Sequence, residues 1–156
     1  MEIQETLDQY GLSLPEPPSR AGIYTQAKHF GSNFIYLSGC GPNTPDGTVY
    51  AGKLGAEYTI EEGQRAAQMC ALNLLAVLRR DLGDLGKIKR IVKMLALVAG
   101  TDTFYEQPQV ANGASQLFTD IFGEEVGCAA RSAIGVNALP GNIPVEIEIL
   151  VEIEAE

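Results

Sequence analysis

Across 156 residues the chain is 46% hydrophobic and 20% charged, the balance of one folded domain that buries its own core, not of a disordered segment. Eleven Lys+Arg stand against twenty Asp+Glu, a formal net charge of −9, which repels phosphate backbones and disfavours general nucleic-acid binding. No apolar run approaches the ~20 residues that span a bilayer.

Residues 2–12 place Ile3, Leu7 and Tyr10 at helical spacing ahead of Gly11, which predicts a short amphipathic helix. Glu2, Glu5 and Asp8 stand where a secretory signal would be basic and then apolar, so no such signal is expected. Pro15 to Pro18 cannot continue a helix and read as an extended connector. Residues 33–38 form a β-branched and aromatic run closed by Gly39, a strand signature. Glycines recur through residues 39–55 around a Pro45-Asp46-Gly47 turn, so this is a loop with a short strand expected at Val49-Tyr50. Thr59 and Glu62 have the spacing of a capping box that starts a helix over 60–81. Its apolar face is Ile60, Gly63, Ala67, Cys70, Leu74 and Val77, and its small residues suit close packing on a sheet. Residues 89–98 read as a buried strand. Asn112 is expected to N-cap a second helix with Leu117, Phe118, Ile121 and Phe122 as its stripe and Gly123 as its stop. An apolar run from Arg131 leads through a Leu139-Pro140-Gly141 turn into the last strand, a pair expected to form a hairpin. In that strand Val145, Ile147, Ile149, Val151 and Ile153 alternate with Glu146, Glu148, Leu150, Glu152 and Glu154. The order predicts an α+β sandwich with both main helices on one face of the sheet.

Three features bear on chemistry. Glutamates two apart on a strand stand about 7 Å from one another and repel, so either that face is solvated or Lys87, Lys89, Arg90 and Lys93 meet it. Arg131, entering an apolar strand, makes a salt bridge or offers a planar fork to a substrate carboxylate. Cys40, Cys70 and Cys128 are odd in number, lack a Cys-x-x-Cys pair and have His29 as the only histidine, which excludes a disulfide framework and a recognisable zinc site. Cys40 reads as a small apolar filler, Cys70 as core, and His29 as a surface residue of the connector before the first strand.

Arg131-Ser132, then Leu139-Pro140, then Val145-Glu146-Ile147-Glu148 resemble the C-terminal signature of the RidA/YjgF family. Tyr24, Leu37-Ser38-Gly39 and Val110-Ala111-Asn112 agree with it in order and interval, and the likeness covers about residues 20–154. Residues 1–19 and the 40–55 loop are similar to features of a longer-chain subgroup. The resemblance implies a single domain over 1–156, in which 1–19 are an N-terminal helix and Pro-rich connector extension. It implies a chorismate mutase-like α+β sandwich, a mixed sheet with two main helices on one face, assembled as a homotrimer with sites in clefts between subunits. The implied activity is hydrolysis of small 2-imino acids and their enamine tautomers to 2-oxo acids and ammonia, with no cofactor and no metal; a cytoplasmic location is expected from the N-terminal composition and cysteine usage. The implied partner is the small 2-imino or 2-oxo acid, not nucleic acid or membrane. By position, Arg131 would bind the substrate carboxylate and Glu146 would orient or deprotonate the attacking water. Tyr24, Ser38, Gly39 and Asn112 would line the pocket. Ala133 stands where the archetype has cysteine, Cys40 where it has glutamine, and Ala130 where it has proline, departures that bear on pocket shape. The alternative on the same trimer is a non-catalytic protein that binds a carboxylate metabolite through Arg131. Some relatives carry an endoribonuclease name, which the −9 charge does not favour.

Overall fold

The computed structural model describes residues 2–155, with elements in the order α1 (Ile3–Gln9), β1 (Ala27–Phe30), β2 (Phe34–Leu37), α2 (Ile60–Leu82), β3 (Ile88–Ala99), α3 (Gln107–Gly127), β4 (Ala130–Val136) and β5 (Val145–Ile153). One sheet runs β1-β2-β5-β3-β4. Its neighbours are antiparallel except β3 and β4, which are parallel. The fold is the expected chorismate mutase-like α+β arrangement, with α2 and α3 on one face.

Periodicity explains this layering. Val145, Ile147, Ile149, Val151 and Ile153 are buried, while Glu146, Glu148, Leu150 and Glu152 are half-buried on the other face. Buried Met94, Ala96 and Val98 of β3 continue the helix-side surface. Against it α2 lays Gly63, Ala67, Cys70, Leu74 and Val77, all buried. The capping box forms: Thr59 Oγ1 accepts from the Glu62 amide at 3.3 Å, and the Glu62 carboxylate accepts from the Thr59 amide at 2.8 Å. The two long helices approach backbone to backbone at Gly113, where a Cβ would stand 2.1 Å from the Gln64 carbonyl oxygen. In α1 Leu7 is buried, while Tyr10 is exposed and does not join the apolar stripe.

Several expectations are corrected. His29 lies on a strand, β1, and not in a connector; its Nε2 pairs with the Asp81 carboxylate of α2. Three of the four β1 residues are exposed, so this edge strand carries no apolar alternation to announce it. Val49-Tyr50 form no strand; the Tyr50 amide donates instead to the Asn43 side chain at 2.6 Å. Asn112 is not an N-cap. The helix begins at Gln107 with Pro108 in its first turn, where a missing N–H costs nothing, and Asn112 lies well inside. Gly123, at φ 82°, interrupts α3, and a last helical stretch runs on to Gly127. Finally, β4 and β5 do not form a hairpin, because β3 lies between them. Interior strands are covered on both edges, and β3, apolar along most of its length, takes one of those places between β5 and β4; the connection from β4 crosses its end, where Leu139 and Ile143 pack with Ala99. Of the acidic face, only Glu152 meets cations among the described residues, Arg90 at 2.7 Å and Lys89 at 3.6 Å.

Candidate active site

Two clusters contain the residues singled out from the sequence. The first is built by β4 and α3. Strand register sets Arg131 beside Met94, whose side chain is buried beneath the helices. Directly paired residues share a face, so the guanidinium turns toward α3 at the sheet's edge. There Nη1 donates to Asn112 Oδ1 at 2.7 Å and to Ser115 Oγ at 3.1 Å. Asn112, free of any capping duty, and Ser115 stand one helical turn apart, which brings their side chains together. Ala133, two residues further along β4, shares the face of Arg131 and packs against the core.

The second cluster is on the sheet's other face. Glu146 pairs with Leu97 and lies between Val145 and Ile147, both fully buried under the helices, so its side chain leaves the sheet on the open side. It rests against Gly39, where a Cβ would stand 2.9 Å from its Cγ and 3.0 Å from its Cδ. Only glycine lets the carboxyl lie this close to the backbone. The next residue is pinned across β5, the Cys40 amide donating to the Ile147 carbonyl at 2.9 Å and the Ile147 amide returning a bond at 3.0 Å. Asn73, buried on α2, holds the following loop by donating to the carbonyls of Gly41 and Asn43 at 2.9 and 3.0 Å. Burial first, and the Glu148 charge second, raise the Glu146 carboxyl above the ordinary carboxylate value. Among the described residues no donor or cation pairs with it. Nearby, Ser38 Oγ donates to the Thr25 carbonyl at 2.6 Å, and the Tyr36 hydroxyl donates to Glu148 at 3.2 Å. Tyr24 and Ser38 line one shallow depression with Tyr36 and Glu148.

Cys40 does not supply a nucleophile here. Burial, then the Glu146 charge, push its thiol up to about 12, so it stays protonated near neutrality. Among the described residues no cluster of His, Cys, Asp and Glu could hold a metal ion, and no helix is long and apolar enough to cross a membrane. A cleft of about 890 Å³ between α1, the end of α2 and the interrupted end of α3 contains none of the site residues.

The geometry therefore joins Arg131 to Asn112 and Glu146 to Gly39, but sets the two pairs on opposite faces of one chain's sheet. Ser115, bonded to Arg131, and Asn73, bonded to the loop after Gly39, are neighbours of the two clusters that the sequence pattern did not single out. Once the helix is started at residue 107, Asn112, Ser115 and Thr119 align along one edge of the apolar stripe, a signal for Ser115; a buried asparagine has none.

Residues 4–153 match the family described as "YjgF/chorismate mutase-like, putative endoribonuclease". The chain is 40% identical over 151 residues to Protein TCP17 of Trypanosoma cruzi, covering 97% of this chain and 94% of that one. It is 31% identical over 144 residues to a 2-iminobutanoate/2-iminopropanoate deaminase of Dermatophagoides farinae, covering 92% and 95%. A solved structure of Atu1372 from Agrobacterium tumefaciens, described as of unknown function, superposes with a TM-score of 0.89 at 38% identity, over 97% of this chain and 92% of that one.

Proposed function

The chain belongs to the YjgF/chorismate mutase-like family, and from that membership we propose that it hydrolyses small 2-imino acids to 2-oxo acids and ammonia in the cytoplasm. The observation that carries this reading is Glu146: a half-buried carboxylate that rests against Gly39 with no partner among the described residues, burial raising its carboxyl above the ordinary value. Such a group accepts a proton from water more readily than an exposed glutamate does. Arg131 supplies the anion anchor, its charge unopposed by any carboxylate among the described residues. With the substrate carboxylate on Arg131, Glu146 takes a proton from water as the oxygen bonds to the imine carbon, and the imine nitrogen gains a proton. The proton on that nitrogen is the one Glu146 took from water; from the resulting carbinolamine Glu146 takes the hydroxyl proton as the C=O forms and delivers it to the amino nitrogen as the C–N bond breaks, so that ammonia departs and the carboxylate is regenerated. Imines are electrophilic, so holding one substrate and one water in register supplies much of the acceleration.

Because Arg131 and Glu146 face opposite ways, the site in this reading is completed between copies in a homotrimer. The open face supports such an assembly: Phe30, Tyr36 and Ile134 are each 46% exposed there, an apolar surface suited to burial. Tyr24, Ser38, Gly39, Asn112 and Ala133 shape the enclosed space. The test is ammonia release from 2-iminobutyrate generated in place by a threonine dehydratase. Wild type accelerates it, while Arg131→Ala and Glu146→Gln do not, with sedimentation unchanged; a substantial rate left in both variants refutes the proposal. A second reading, carboxylate binding without turnover, is favoured by the separation of Arg131 and Glu146 in one chain. It predicts Arg131-dependent heat with 2-oxobutyrate and no ammonia release.

A further inference from the structure

A guanidinium binds a carboxylate through one of two forked edges, the end pair Nη1 and Nη2 or the side pair Nε and Nη2. In this chain α3 restricts the choice. Asn112 Oδ1 and Ser115 Oγ lie 2.7 and 3.1 Å from the same nitrogen, Nη1 of Arg131. That nitrogen carries two N–H bonds, and two acceptors one helical turn apart take both. Nε and Nη2 have no acceptor among the described residues. Both holders are neutral oxygens, so they fix the plane of the group without cancelling its charge. An aspartate or glutamate at either position would do the opposite, spending the charge on an internal ion pair.

The geometry points to Ser115 as a positioning residue that, with Asn112, occupies Nη1 and leaves the Nε–Nη2 edge as the fork for a planar carboxylate bearing an adjacent imino or oxo group. The inference rests on the reading of Arg131 as the anion anchor. Holding the guanidinium in one plane before the ligand arrives lowers the cost of ordering it on binding, so loss of Ser115 weakens binding while leaving the chemical step alone.

Steady-state kinetics on Ser115→Ala should raise KM for 2-iminobutyrate about three- to tenfold, the net size of one ordinary intramolecular hydrogen bond, with kcat within about twofold. Ser115→Thr, which keeps the hydroxyl, should restore KM. Nitrogen-15 NMR of the arginine side chains gives an independent reading. In wild type the two Nη1 protons of Arg131, assigned by their loss in Arg131→Lys, should give separate, slowly exchanging signals that average in Ser115→Ala. Titration with 2-oxobutyrate should move the Nε–H signal and leave Nη1 in place. An unchanged KM in Ser115→Ala while Arg131→Ala is inactive overturns the role of Ser115 and leaves the hydrolysis reading standing. Wild type that moves Nε–H with 2-oxobutyrate yet releases no ammonia sinks hydrolysis and keeps the fork. A shift confined to Nη1, or averaged Nη1 signals in wild type, overturns the fork assignment. No response of Arg131 to 2-oxobutyrate removes both.

Discussion

Gly113→Ala sets two opposing effects against each other. In a helix interior alanine is favoured over glycine by about 1 kcal/mol, so on propensity alone the substitution stabilises α3. The packing says otherwise. The added Cβ would stand 2.1 Å from the Gln64 carbonyl oxygen, 2.7 Å from its carbon and 2.8 Å from its Cα. These are backbone atoms that cannot swing aside, so α2 and α3 must part by roughly 1 Å to restore van der Waals contact. Overpacking costs about 1–3 kcal/mol, and an obstacle made of backbone belongs at the upper end. Against the propensity gain the net loss is about 2 kcal/mol, or a fall in Tm of about 4–8 °C for a domain of this size. Thermal unfolding by circular dichroism at one fixed protein concentration measures it, since assembly would make Tm concentration-dependent. Asn112 is the adjacent residue and Ser115 is two further on, so the same displacement should loosen Arg131 and raise KM. A Tm at or above wild type would show that the helices have room, and the close approach would be refuted.

Glu146→Gln bears on pH. Burial and the Glu148 charge raise the Glu146 carboxyl above its ordinary value of 4.5, so the folded chain holds that proton more tightly than the unfolded one. Its contribution is full below the ordinary value and is lost as pH rises through the raised one. The variant escapes that loss, so its urea midpoint should match or exceed wild type at about pH 7, with the difference shrinking below pH ~4; a clearly less stable variant at neutral pH contradicts this. Gly39→Ala drives a methyl toward Cγ and Cδ of Glu146, at 2.9 and 3.0 Å. The end of a side chain can move, so stability should fall by less than about 1 kcal/mol while kcat/KM falls at least about tenfold; equal activity would show that the carboxyl's position is not critical. Thr59→Ala removes the hydroxyl that accepts from the Glu62 amide and should cost about 1 kcal/mol, read as a lower urea midpoint, with Thr59→Ser near wild type.

What the sequence disclosed tracks how local each cause is. The alternation in β5, the Thr59–Glu62 cap and the apolar stripe of α2 are decided within a turn or a few residues, and each is found where expected, except that Ile60 at the start of the stripe is only half-buried. β1 escaped notice because an exposed edge strand bearing Lys28 and His29 has no buried face to leave a pattern. Asn112 reads as a cap in the sequence because a side chain that suits capping also suits accepting from an arginine 19 residues away, and only the placement of β4 beside α3 decides between them. Strand order is a property of the whole sheet, which is why a plausible turn at Leu139-Pro140-Gly141 suggested a hairpin that β3 in fact separates. The site was visible residue by residue, through likeness to a family, but its division between two faces was not.

The position of β5 bears on how the molecule assembles. Of the five strands it is made after the other four, yet it is the middle one, antiparallel to β2 on one side and β3 on the other. The hairpin β1-β2 and the crossover unit β3-α3-β4 therefore emerge as two fragments with no seam between them, each with an unmated edge. Closing the sheet waits until β5 itself has been made, and sequence-distant pairings of this kind slow folding. During synthesis those open edges are the segments most in need of a chaperone's cover.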